Sequence, residues 1–223
     1  GESMQKPWAA LGLGLLERGR AAQGAPPALG TLNSMRKLME KSRNPDTAAA
    51  LYLALGLAGD QEAKELLLKR MGGDEVAGGA AMTALGMLGA QEARNQLWSV
   101  AHDATRPLLA HEGAVALALL RDRTIQSALY AEATKARFLV YQVSTIYSLA
   151  YVGDGLAIPT LYAILTGRRQ SENARAAAIA AIGIIADKDL VPWNHAMGWD
   201  ANWWKAPATL IDTVDRRGIL DVF

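Results

Sequence analysis

The sequence predicts an all-α solenoid of about six tandem helical hairpins, and three observations lead there. A short apolar pattern recurs at roughly one hairpin's spacing, helix-ending and helix-starting residues recur inside each copy, and the two helices of a copy differ sharply in charge. Self-similarity at such a period marks a repeat architecture, in which a hairpin hides its apolar face against its neighbours.

The segments 49–56, 80–86 and 176–183 share one run of small and branched apolar residues, and 112–118 and 144–150 are degenerate copies. Gly56, Gly86, Ala118, Ala150 and Gly183 then occupy one place, at steps of 30, 32, 32 and 33 residues. Glycine inside a helix costs about 1 kcal/mol relative to alanine, so its recurrence predicts a neighbouring helix that approaches closely. Gly59, Gly89 and Gly153 stand where a left-handed residue would stop the preceding helix. Asp60, Asp122, Asp154 and Asp187 follow as N-caps of a second, more polar helix. In segment 61–71 the apolar residues Ala63, Leu66 and Leu67 keep helical spacing, while Glu62, Lys64, Glu65 and Lys69 face water. The same reading serves segments 91–101, 124–136 and 156–165.

On these residues the chain resembles the HEAT-like repeats of the phycobilisome-lyase type, a short variety of HEAT hairpin, over roughly residues 44–190. Its best copy, 173–183, has Arg175 where that pattern commonly has arginine; Ala48, Gly78, Ala110 and Gln142 stand at the equivalent places. The resemblance implies a right-handed α-α superhelix with the second helix of each pair on the concave side. It also implies the alternative of a lyase-like or chaperone-like subunit that handles a bilin or another apolar ligand. Residues 1–23 are expected to form an incomplete N-terminal repeat, whose helix from Trp8 to Glu17 resembles the second half of a hairpin. The array proper is expected over 24–190 and a Trp-rich cap over 191–223, so the chain reads as a piece of something longer.

A chain of 223 residues with 51% hydrophobic content has ample material for a core. Twenty-three Lys and Arg against twenty-two Asp and Glu leave a net charge of +1, which removes the electrostatic footprint of a nucleic-acid binder. The absence of cysteine excludes disulfides and thiolate chemistry but does not indicate a compartment. The run from Trp8 to Leu16 superficially resembles a signal peptide, but Glu17, Arg18 and Arg20 stand where small residues would mark cleavage. No apolar stretch approaches the roughly 20 residues of a membrane span, so a soluble chain is expected, of undetermined localisation.

Segments 48–59, 78–89 and 141–153 carry no charge, and 112–120 and 174–186 carry one each, Glu112 and Arg175. One reading buries these helices on all sides. The other leaves part of the face open to an apolar partner such as an amphipathic helix, with a polar rim of Arg106, His111, Glu112, Tyr141, Gln142, Thr145, Asn173 and Arg175. Trp199, Trp203 and Trp204, close to Trp193, either plug the end of the array or recognise a partner. His111-Glu112 matches the His-Glu pairs of an iron-dependent hydroxylase with HEAT-like repeats. That enzyme needs several such pairs, and the equivalent places here hold Ala49-Ala50, Gly79-Ala80, Val143-Ser144 and Ala176-Ala177. His102, His111 and His195 lie in different repeats without a paired nucleophile. Arg168-Arg169 and Arg216-Arg217 read as solvated pairs. The expectation is therefore a non-catalytic scaffold or adaptor with no cofactor, which binds a protein or peptide partner of unknown identity.

Overall fold

A computed structural model describes residues 2–152 and 154–186. The order is α1 (Glu2–Ala22), α2 (Leu29–Lys41), α3 (Pro45–Leu57), α4 (Lys64–Arg70), α5 (Glu75–Met87), α6 (Arg94–Ala101), α7 (Pro107–Leu119), α8 (Ile125–Lys135), α9 (Leu139–Val152), α10 (Ile158–Thr166) and α11 (Glu172–Ala186). Single 3-10 turns at Gln61–Ala63, Gln91–Ala93 and Gly155–Ala157 lead into α4, α6 and α10. Among the described residues there is no strand, and no helix is long and apolar enough to cross a membrane. They fall into two compact units, 2–93 and 94–186.

In the first unit α2 packs on α3 and α4 on α5, while α3 lies against both α1 and α5. In the second unit the pairs are α6 with α7, α8 with α9 and α10 with α11, and α9 lies against both α7 and α11. Each pair thus joins a first helix to the apolar helix that follows it; the first is polar in α4, α6 and α8, whereas α10 carries no charge, against the expectation of a polar helix over 156–165. Every residue of α3 from Thr47 to Leu57 is buried, as is every residue of α5 from Ala77 to Gly86. For these two helices the reading that apolar all round means buried on all sides holds.

The close approaches expected at the recurring glycine are real at Gly56, where an added Cβ would lie 2.9 Å from the Ala84 Cα. At Gly183 no described atom lies within 4 Å of that position. A tighter contact escaped the repeat pattern: a Cβ on Gly14 would stand 2.7 Å from both the Cα and the carbonyl oxygen of Ala54. Backbone therefore touches backbone where α1 meets α3.

The second helices α3 and α5 begin on strong caps, with Asn44 accepting from the Thr47 N–H at 2.8 Å and Asp74 from the Val76 and Ala77 N–H groups at 3.1 and 2.9 Å, whereas α7 has no side-chain cap. Of the aspartates expected to cap the polar helices, Asp154 accepts from the Leu156 N–H at 2.9 Å. Asp122 binds the Thr124 N–H and hydroxyl, and α8 starts just after, at Ile125. Asp60 departs from the expectation in part, because its side chain makes no regular cap bond and its carboxylate is shared between the Glu62 backbone and an ion pair. It is 5% exposed, and the Arg36 guanidinium reaches it from α2 at 3.1 Å. Asp187 lies outside the described residues.

The helix stops repeat too, at two of the three expected glycines, while Gly153 lies outside the described residues. Gly59 (φ 72°), Gly89 (φ 65°) and Arg121 (φ 61°) are all left-handed. Each is followed by an N–H bonded five residues back, Asp60 to Leu55 at 3.0 Å, Ala90 to Leu85 at 3.0 Å and Asp122 to Leu117 at 2.9 Å. These are Schellman closures. Glycine takes that conformation freely, whereas a side chain there costs about 1–2 kcal/mol.

Two stability predictions follow from backbone geometry. Gly12 is exposed with no described atom within 4 Å of an added Cβ, so Gly12→Ala should gain about 0.5–1 kcal/mol, while Gly14→Ala on the same helix should lose about 1–3 kcal/mol through overpacking against Ala54. Urea denaturation checks both, and a stabilised Gly14→Ala would show that α1 does not sit against α3 this closely. Arg121→Gly should raise the urea midpoint by an amount worth about 0.5–1 kcal/mol at unchanged m; a lower midpoint would mean that contacts of the Arg121 side chain outweigh the relieved backbone.

Candidate partner-binding edge

Within the second unit, the turns that join α6 to α7, α8 to α9 and α10 to α11 lie side by side. The Ser144 hydroxyl of α9 donates to the Pro107 carbonyl at the start of α7 at 2.5 Å. The Gln142 amide donates to Gln170 Oε1, in the turn before α11, at 2.9 Å. Three successive turns are thereby tied into one edge.

A helix ends with carbonyls that have no partner inside it. In α8 and α10 these are served by the next helix. Gln142 Nε2 donates to the Ala133 carbonyl at 2.9 Å, and Arg175 Nε donates to the Leu165 carbonyl at 2.9 Å. Gln142 and Arg175 hold the same register in their helices, and at Arg175 a cation beside a helix C-terminus also suits the dipole. Tyr141 donates its hydroxyl to Glu132 of α8, and Thr145 donates to the Tyr141 carbonyl at 2.8 Å. Burial, and then Glu132, push the Tyr141 phenol well above its ordinary value.

Tyr141, Gln142 and Thr145 are 6%, 7% and 3% exposed. The structure therefore places these three inside the edge, as posts that hold it, and not on an open rim. Of the other expected rim residues, Asn173 and Arg175 are exposed, and Arg106, His111 and Glu112 are half-buried. Trp199, Trp203 and Trp204 lie outside the described residues.

His111 sits between α7 and α9. The Ser148 hydroxyl donates its one proton to the Ser144 carbonyl at 3.0 Å, so the His111 Nδ1, 2.9 Å from the same oxygen, is the donor to it. The ring is thus assigned as the neutral Nδ1–H tautomer, and its edge meets the Tyr151 ring with centroids 6.5 Å apart. Burial pushes the His111 pKa down to about 4. No group of three or more His, Asp or Glu among the described residues is placed to hold a metal ion.

Sequence reasoning missed the polar chain on the first helices. Arg94 Nε lies 2.6 Å from Asp122 Oδ2, and Trp98 Nε1 donates to the same oxygen at 2.8 Å. Burial pushes Asp122 up, but the bonds from Thr124, Trp98 and Arg94 outweigh it and hold the carboxyl at about 2. Trp98 stacks on His102 at 4.8 Å, and His102 Nε2 stands 3.6 Å from Glu132, the acceptor of Tyr141. Gln126 donates to the Val152 carbonyl at 2.6 Å, as Gln61 does to the Leu88 carbonyl at 3.4 Å in the first unit. The available signal was a polar side chain early in one polar helix, some 24–28 residues ahead of the turn it reaches.

What the edge leaves open is apolar and basic. Phe138 is 69% exposed and Val140 63%, with Leu139, Leu108 and Tyr147 also exposed. Lys135, Arg137, Arg168 and Arg169 are exposed beside them, and none has an acidic partner within 4 Å among the described residues.

The lowered His111 pKa carries a pH signature. The unfolded chain takes up the histidine proton near 6.5 and the folded one only near 4. This group's contribution is therefore complete above about pH 6.5, is lost as pH falls from there towards about 4, and changes no further below. His111→Gln should flatten that limb when urea midpoints are compared across the range, and parallel profiles for the two proteins would show the ring to be freely hydrated.

Residues 32–118 match the family model described as HEAT repeats. That match does not distinguish the phycobilisome-lyase type, and no curated protein matches the chain. The matched segment runs from within α2 to within α7, and the same packing of successive helices in pairs continues through α11, so the chain is a HEAT-like repeat protein.

Proposed function

We propose that this chain is a non-catalytic protein-interaction scaffold that receives a partner segment on the second helices of its pairs, the face that HEAT-type superhelices turn inwards. The observation that carries this reading is the exposure of Phe138, Leu139, Val140 and Tyr147 at the start and along the face of α9. Those residues stand on a helix whose first turns are pinned by Tyr141, Gln142, Ser144 and Thr145. Large apolar groups left in water on a rigid support offer about 1.5–3 kcal/mol each when a partner covers them, before the cost of association. The titratable groups around them serve the fold: His111 is neutral and bonded, Glu132 takes the Tyr141 hydroxyl, and Asp122 is bound by donors from three residues.

A photo-crosslinking amino acid placed at Phe138 or at Tyr147, in the chain expressed in its native cells, should capture one discrete protein. The same group at the exposed Glu65 of α4 should not. Phe138→Ser with Val140→Ser should remove the product formed from position 147. Identical products from all three positions, or none from 138 and 147, would sink the proposal.

A further inference from the structure

We infer that the segment bound at this edge is an acidic amphipathic peptide, an inference that rests on the scaffold reading above and gives the partner its chemistry. The second unit has two edges, and their charges are handled differently. At the edge of the α7–α8 and α9–α10 turns, Asp122 is bound by Arg94, and Asp154 stands 4.0 Å from Arg123. Positive and negative groups meet there inside the protein.

At the opposite edge, among the described residues, Glu132 and Asp103 are committed, Glu172 at the start of α11 is exposed, and four bases outnumber it. Glu132 takes the Tyr141 hydroxyl and faces His102. Asp103 accepts from the Thr105 N–H at 2.9 Å and from its hydroxyl at 2.5 Å. Lys135 and Arg137 flank the turn before α9, Arg168 and Arg169 lie in the turn before α11, and no described carboxylate lies within 4 Å of them. The bond from Gln142 to Gln170 brings the two basic turns together, because Gln170 adjoins Arg169 and Gln142 lies in the first turn of the helix that Arg137 precedes. Phe138, Leu139 and Val140 follow Arg137 directly in the chain, with their apolar surface in water.

Surface charges are screened beyond about 8–10 Å, so this cluster acts on what touches the edge and not on the solution at large. That is why a chain with a net charge of only +1 still presents a positive site. A partner that covered Phe138 and Val140 with neutral residues would bring four cations close to an apolar contact without compensation, and a basic one would add repulsion. Asp or Glu interleaved with aromatic or aliphatic residues satisfies both surfaces, and planar guanidinium groups receive carboxylates in paired hydrogen bonds.

The test uses displayed random dodecapeptides selected on the full chain, with selected peptides then measured by fluorescence anisotropy. Enriched peptides should combine Asp or Glu with aromatic or aliphatic residues, and raised salt should weaken them. Arg137→Glu, Arg168→Glu and Arg169→Glu together should lower their affinity by ~10-fold or more, in a protein whose melting is unchanged. Enriched peptides without acidic bias that still depend on Phe138 and Val140 would overturn the charge inference and leave the edge standing as a scaffold site. Peptides indifferent to both sets of substitutions, or no enrichment, would overturn the inference together with the edge.

Discussion

Small-residue helices that touch backbone to backbone are the constraint on which the rest of this structure depends. Gly14 against Ala54 and Gly56 against Ala84 leave no room for a methyl group, so the facing surfaces cannot carry side chains that reach out, pair or titrate. Every other choice follows from that closeness. A helix with neighbours this near is buried nearly all round, as α3 and α5 are, and burial without partners excludes charge because an unpaired ion in such a place is prohibitive. The charge-free runs in the sequence are therefore the direct imprint of packing distance.

Polar chemistry displaced from these helices is concentrated where backbone groups run out of partners. Helix ends leave carbonyls and N–H groups unserved, and a buried one left so costs about 1–3 kcal/mol. The chain meets this need locally, with Asn44 and Asp74 at helix starts and Schellman closures at helix stops, and non-locally, with Gln61, Gln126, Gln142 and Arg175 serving carbonyls elsewhere. The non-local bonds do more than satisfy carbonyls, because each also fixes the distance between a polar helix and its neighbour. Repeat proteins are held by such nearest-neighbour terms, without contacts between distant parts of the chain.

The period, the close approach at Gly56 and the glycine stops were legible in the sequence because each needs one residue type at one place. Arg121 was not, since nothing in its own identity shows that it fills the left-handed position held elsewhere by Gly59 and Gly89. Asp60 was misjudged in part, for a related reason. An aspartate before a polar helix looks like a cap, and only the arrival of Arg36, 24 residues earlier, turns it into half of an ion pair. Tyr141, Gln142 and Thr145 show the limit for the site itself. A polar residue at the start of an apolar helix is equally consistent with a rim in water and a buried post, and the decision belongs to Glu132, Ala133 and Gln170 on neighbouring segments.

On the proposed reading that distinction matters for function, because posts and contact surface would be complementary parts of one device. Holding a loop still before a partner arrives removes an entropic cost that would otherwise be deducted from the affinity, about 0.5–1.5 kcal/mol for each side chain that binding would freeze. At the α8–α9 turn the buried Tyr141 and Gln142 lie directly beyond the exposed Phe138, Leu139 and Val140, so the residues that hold the turn and those that face water follow each other in the chain. A turn secured from behind can display large apolar groups without collapsing onto them. The same bonds serve carbonyls that the end of α8 leaves without a partner, and on the proposed reading they also steady the turn that carries the most exposed aromatic of the described residues.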